Sequence, residues 1–221
     1  MIWTLPNILT TLRLLAAPGV AVLFLFVARP LADWLALIFF AGAAITDWID
    51  GYLARSWGQE SKFGAMLDPI ADKAMVAIAL LVLCVFSTLG YTILLPAVLI
   101  LFREVFVSGL REFLGDTAGT LKVTQLAKWK TTAQMVAIAT LFAHGILFHA
   151  RIEATAGMDP AMIEAILSGL EPDEAGLRLR EMAMTGIGWL GVALLWLAAA
   201  LTVITGFDYF RKALPFLKGA K

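Results

Sequence analysis

Cysteine is nearly missing from this chain. Cys84 stands alone among 221 residues, so no disulfide can close within one molecule, and from its place in an apolar run a buried, inert thiol is expected. Histidine is almost as scarce. His144 and His149 lie far along the chain from the acids discussed below, which argues against a histidine-built metal site. Net charge is absent too: 17 basic residues balance 17 acidic ones, so bulk charge points to no nucleic-acid partner. Internal repeats and low-complexity tracts are missing. The first residues lack the basic start of a secretory signal, and Arg13 interrupts the apolar run that follows, so this segment is expected to be retained.

Apolar residues fill the space left by these absences. They make up 61% of the chain, with a mean hydropathy of +0.86, against about 45–50% for an ordinary soluble domain. The excess is gathered into runs of the length that crosses a bilayer, roughly 20 residues. Six such runs are expected, at about 8–28, 31–50, 65–89, 91–111, 126–149 and 184–207. The expected fold is therefore an all-α integral membrane protein, a bundle of six transmembrane helices. Residues 1–221 form one membrane domain with a polar insert at about 150–183. Within the insert, Asp159, Pro160 and Gly169 are placed to cap, start and end a short helix.

Basic residues set the orientation. With a cytoplasmic N-terminus and six spans, 13 of the 17 fall on the cytoplasmic side, and only Arg29, Arg151, Arg178 and Arg180 fall outside. Both termini are thus expected in the cytoplasm, in a multi-pass protein of the inner membrane. The insert carries 7 acids against 3 bases and faces outward.

One stretch breaks the apolar pattern: "DWIDGYLARSWGQESKFGAMLDPIADK", from Asp47 to Lys73. Acids near a bilayer are costly and need something that offsets the cost. Asp47 and Asp50 are three apart, and Asp68 and Asp72 four apart, so each pair shares one helical face. Two helices can therefore aim two carboxylates each into one space. Left alone, four carboxylates repel. Two divalent cations, Mg²⁺ or Mn²⁺, suit such hard oxygen ligands and serve displacement at phosphorus. Gly51, Ala54 and Gly64 keep the surroundings small enough for a helix or a ligand to come close. Arg55 offers a planar fork of donors matched to phosphate oxygens. Pro69 is expected to bend or start the helix beside Asp68.

Basic residues gather on the same side. Arg103, Arg111, Lys128 and Lys130 fall at the ends of the fourth and fifth spans, suited to an anionic phosphate. Arg103 follows "LPAVLILF" so closely that it is expected to face the bundle interior. Asn7 and Thr10, with Arg13, either reach a bound substrate or form a helix cap with a snorkelling arginine. Paired membrane acids also suit a cation or proton transporter, although such proteins tend to carry repeated halves.

The arrangement Asp47-x2-Asp50-Gly51-x2-Ala54-Arg55-x8-Gly64-x3-Asp68-x3-Asp72 resembles the signature of the CDP-alcohol phosphotransferase family, with every fixed position matched. The resemblance implies six membrane helices, commonly a homodimer, and transfer of a phosphate-linked group from a CDP-linked donor to an alcohol. It implies that Asp47, Asp50, Asp68 and Asp72 hold two divalent metals and that Asp72 is also general base. It further implies that Gly51 and Arg55, with Ser61, meet the nucleotide-diphosphate end of the donor. "LPNILTTLR", "REVFVSGLREFL", "KWKTTAQM" and "GFDYFRKALP" resemble the branch of that family that uses CDP-diacylglycerol and sn-glycerol 3-phosphate, yielding phosphatidylglycerophosphate and CMP. Ala127 stands where that branch often has glycine. Branches that use phosphatidylglycerol, serine or inositol phosphate as acceptor would share the metal site.

Overall fold

The computed structural model describes residues 4–56, 61–120 and 126–217. The side chains at 47, 48, 50–55, 116, 118, 120 and 126–128 lie outside that description. The described residues form helices and no strand. In order they are α1 (Leu5–Phe26), α2 (Leu31–Ser56), α3 (Lys62–Phe86), α4 (Gly90–Leu114), a 3-10 turn (Gly115–Thr120), α5 (Leu126–Ala154), α6 (Pro160–Ser168) and α7 (Leu177–Leu217).

Local chemistry sets the helix starts. Thr4 caps α1 by accepting from the Asn7 amide, with Pro6 in the first turn. Ser61 caps α3 by accepting from Gly64 N at 3.0 Å. Asp159 caps α6, Pro160 opens it, and Gly169 ends it in the left-handed region at φ 88°, as the sequence leads one to expect. Pro69 lies inside α3, which the Ser61 cap starts two turns earlier, so Pro69 does not begin the helix.

α1, α3, α4, most of α5 and α7 are each long and apolar enough to cross a membrane, and the described apolar part of α2, Leu31–Thr46, is shorter. The bundle hides a core of Phe24, Phe40, Phe142, Leu80, Ile138 and Leu195. It leaves Leu12, Leu15, Leu25, Phe102, Val105 and Trp189 more than half exposed. A water-soluble protein would not leave so many large apolar side chains uncovered, whereas lipid tails accept them.

α7 departs most from expectation. It runs 41 residues rather than the 24 expected from hydropathy, about 62 Å at 1.5 Å per residue. That is twice the hydrocarbon thickness of about 30 Å. Its extra turns carry polar residues, which a helix outside the bilayer tolerates. The Asp173 carboxylate starts it by accepting from the amides of Leu177 at 2.6 Å and Arg178 at 3.0 Å.

α1 packs along α3 and α2, α5 along α7 and α2, and α4 along α7 and α3. α1 and α3 run in parallel and in register. Asn7 meets Ser61, Thr10 meets Asp68, Arg13 meets Asp72, and the rings of Phe24 and Phe86 lie 5.2 Å apart. α7 runs the full height of the bundle. Gly188 lies under His144 near one end, and Gly206 lies under Arg103 near the other.

Candidate active site

The acid-bearing half of α3 is held by one face of α1. Asn7, Thr10 and Arg13 are spaced three apart, so they lie close together on that face, and all are buried. Asn7 donates from Nδ2 to Ser61 Oγ at 2.9 Å, and Ser61 Oγ lies 3.0 Å from Asn7 Oδ1. Gly64 permits this approach, because a Cβ there would sit 2.6 Å from Asn7 Oδ1. Thr10 Oγ1 lies 2.6 Å from Asp68 Oδ1 and 3.2 Å from Pro6 O. A hydroxyl has one proton, and the shorter, charge-assisted contact takes it. Arg13 Nη1 donates to Asp72 Oδ1 at 3.2 Å. Arg13 therefore does not snorkel: its side chain is 2% exposed, while that of Asp72 is 46% exposed. An arginine buried this deeply needs a counter-charge, and Asp72 supplies it.

Asp72 also borders a cavity of about 330 Å³. α3 contributes Pro69, Lys73 and Val76, and α4 contributes Arg103, Glu104, Val107, Ser108 and Arg111. α5 contributes Lys130, Thr131, Gln134 and Met135. Three of the four basic residues expected to bind phosphate thus meet Asp72 around one space. Arg103 faces the interior as expected. It bonds Glu104 Oε1 at 3.1 Å, and its aliphatic stem lies against Gly206, where a Cβ would come within 2.8 Å of Cγ. Its Nε is buried with no hydrogen-bond partner among the described residues. Arg111 places its guanidinium 5.4 Å from the ring centre of Tyr209. The Lys130 ammonium meets the same Glu104 carboxylate. Lys73 donates to Ser108 Oγ, which in turn donates to Glu104 O at 2.6 Å.

Sequence reasoning missed Glu104, Lys73 and Ser108. A signal for Glu104 was present, since an acid inside "LFREVF" needs a partner of opposite charge. Several expected site residues fall outside the described set. Asp47, Asp50, Gly51 and Arg55 belong to the last turns of α2, with side chains not described, and the Lys128 side chain is likewise not described. Ser61 and Asn7 are brought onto each other, and Thr10 onto Asp68.

Asp68 and Asp72 fit a hard divalent cation. They offer carboxylate oxygens one turn apart, and Asp72 is open enough for a hydrated ion to reach. Each has one oxygen held by an α1 donor, the kind of outer contact that orients metal ligands. No third histidine, cysteine or acid joins them among the described residues.

At the other end of the bundle, Arg29 donates from Nε and Nη2 to the two oxygens of Asp33, and from Nη1 to Phe86 O. His144 lies between Thr88 Oγ1 and Met184 O. The histidines thus sit at this end with Asp33, away from Asp68 and Asp72.

A family model described as CDP-alcohol phosphatidyltransferase matches residues 3–204. The chain belongs to the CDP-alcohol phosphatidyltransferase family. A Cereibacter sphaeroides protein named CDP-diacylglycerol–glycerol-3-phosphate 3-phosphatidyltransferase is 61% identical over 225 residues, covering 100% of both chains. Proteins of the same name from Rickettsia bellii and Escherichia coli are 36% and 40% identical. They cover 94% and 64% of this chain and 93% and 78% of their own. Family membership sets aside the transporter reading.

Proposed function

We propose that the chain transfers a phosphatidyl group from CDP-diacylglycerol to sn-glycerol 3-phosphate, giving phosphatidylglycerophosphate and CMP for phosphatidylglycerol synthesis. The observation that carries this reading is the cavity beside Asp72. Among the described residues, Lys73, Arg103, Arg111 and Lys130 line it against Asp72 and Glu104, four cations against two anions. The formal excess of two positive charges matches a phosphate monoester dianion. An acceptor without a phosphate monoester, such as serine, leaves that excess unmatched, whereas inositol 1-phosphate matches it equally and is separated by the assay below.

The site opens on the cytoplasmic face of the inner membrane, with six spans and both termini inside. The polar insert at about 150–183 faces out from a single domain, and two such chains form the homodimer common in the family. The 13-to-4 bias of basic residues supports this orientation. The register of α1 with α3 and the contacts of α7 with Arg103 and Arg111 also support it. They bring the starts of α1 and α3 and the end of α7 to one end of the bundle.

Asp47, Asp50, Asp68 and Asp72 would hold two divalent cations, Mg²⁺ or Mn²⁺, which neutralise diphosphate charge when bound. Gly51, Arg55 and the Asn7–Ser61–Thr10 face border the donor's nucleotide end, and its acyl chains remain in lipid. Arg103, Arg111, Lys128 and Lys130 hold the acceptor phosphate and orient its 1-hydroxyl. Asp72 takes the hydroxyl proton at a carboxylate oxygen. The freed oxygen bonds the β-phosphorus bearing diacylglycerol, the bond from that phosphorus to the bridging oxygen breaks, and CMP departs with the bridging oxygen.

The test is CMP release by purified protein in detergent with CDP-diacylglycerol and Mg²⁺ or Mn²⁺. The acceptors are glycerol 3-phosphate, phosphatidylglycerol, serine, inositol 1-phosphate and choline, one at a time. Metal-dependent turnover with glycerol 3-phosphate alone is expected. Turnover with another acceptor would overturn the acceptor assignment, and turnover in the presence of a chelator would overturn the metal requirement.

A further inference from the structure

We propose that Glu104 is a positioning residue for the acceptor phosphate, acting through Lys130 and Arg103; this deepens the acceptor reading above and rests on it. Glu104 sits one residue after Arg103 on α4. Successive helical residues point about 100° apart and do not normally meet. Here Arg103 Nη1 and Glu104 Oε1 are 3.1 Å apart, because both side chains fold toward the cavity. The same carboxylate oxygen takes the Lys130 ammonium from α5. The cavity lies between α3, α4 and α5, and this bond spans it from α4 to α5.

All three side chains are mostly shielded, at 15% exposure for Arg103, 18% for Glu104 and 9% for Lys130. A lysine so far from water has a long, flexible stem and a charge that must be matched. Glu104 does both jobs. It fixes the ammonium in place and takes only one of its three donor directions. Arg103 likewise places only Nη1 on Glu104, one of the five donors of its guanidinium. An incoming phosphate therefore meets two cations that are already desolvated and oriented, which lowers the ordering cost of binding. The backbone repeats this arrangement one turn on. Ser108, four residues after Glu104, donates to the Glu104 carbonyl and receives Lys73, placing a third cation on the same wall.

The test uses full-length protein in detergent with Mg²⁺, titrating each substrate against saturating levels of the other. Glu104→Gln is expected to raise KM for glycerol 3-phosphate about tenfold, the effect of losing one charge-assisted contact. KM for CDP-diacylglycerol should stay within about twofold. Glu104→Asp keeps the charge on a shorter stem and should recover part of the loss. Glu104→Gln combined with Lys130→Met should cost less than the product of the two single effects, because Glu104 works through Lys130. An unchanged KM for glycerol 3-phosphate in Glu104→Gln, or single effects that multiply, would overturn the inference. So would KM values for both substrates rising together with a lowered unfolding temperature, the mark of a merely structural bridge. A Lys130→Met variant with normal KM for glycerol 3-phosphate would instead overturn the acceptor reading beneath it.

Discussion

Two arginine–aspartate pairs mark the two ends of this bundle, and they are built differently. Arg29 meets Asp33 through two contacts of 2.5 and 2.7 Å, and the Asp33 side chain is 2% exposed. Gly145 leaves the room, since a Cβ there would run into the Asp33 carboxylate. Arg13 meets Asp72 through a 3.2 Å contact, and here the arginine is hidden while the acid is nearly half exposed. In the first pair the acid is closed off from any ligand. In the second, the arginine is a buried support and the acid is presented to the cavity. The same two residue types thus make a closed clamp at one end and an open, cavity-facing acid at the other, and burial of the carboxylate decides which.

The largest expected effect is at the open acid. Asp72→Asn should lower CMP release about 10²–10⁴-fold, the usual worth of a positioned proton acceptor. The variant should still fold and elute as the parent does, giving up less stability than a fully closed pair because the Asp72 side chain is nearly half exposed, and retained activity would end the assignment. Asp33→Asn should do the reverse. It should cost about 3–5 kcal/mol of stability, as expected when a buried ion pair loses one partner. Activity per folded molecule, assayed well below the unfolding temperature, should be unchanged. Loss of activity without loss of stability would show that the closed end also serves catalysis. Gly64→Ala sharpens the comparison at the α1–α3 contact. The added methyl meets Asn7, so a penalty of about 1–3 kcal/mol is expected from overpacking, together with reduced turnover as the α1 donors shift from Asp68 and Asp72. A fully active, equally stable variant would remove α1 from the support of the acids.

The smallest effect concerns the start of α7. The amides of Arg178 and Leu177 hold the Asp173 carboxyl below the usual carboxylate range. A depressed value means that the contribution to stability is complete above the unfolded value, about 3.9. It is lost as pH falls through the lower folded value. Asp173→Asn should therefore flatten the acid limb of the stability curve below about pH 4 and leave the slope between pH 5 and 8 unchanged. Thermal unfolding followed across that range would show whether it does.

Much of this was legible in the chain itself. The apolar runs locate the long helices because the bilayer imposes one length on all of them. The aspartate spacing places Asp68 and Asp72 on one face because a helix repeats every 3.6 residues. The fate of Arg13 was not legible, since its partner lies 59 positions away. Glu104 was missed for the same reason: its ammonium partner is 26 residues on, across the cavity. The length of α7 was underestimated because hydropathy reports only the part of a helix that lipid surrounds. The polar turns beyond it follow from a cap at Asp173 and the absence of proline before Pro215.

The register between α1 and α3 bears on how the protein is made. Asn7, Thr10 and Arg13 leave the ribosome first, yet their partners follow 54, 58 and 59 residues later. At about 5–20 residues per second, that is a delay of roughly three to twelve seconds. For that time the first helix carries an amide, a hydroxyl and a guanidinium ahead of the α3 groups that meet them in the folded chain, which disfavours a settled position deep among acyl chains. The newborn helix must wait at the headgroups or beside the insertion machinery until the third arrives to claim it.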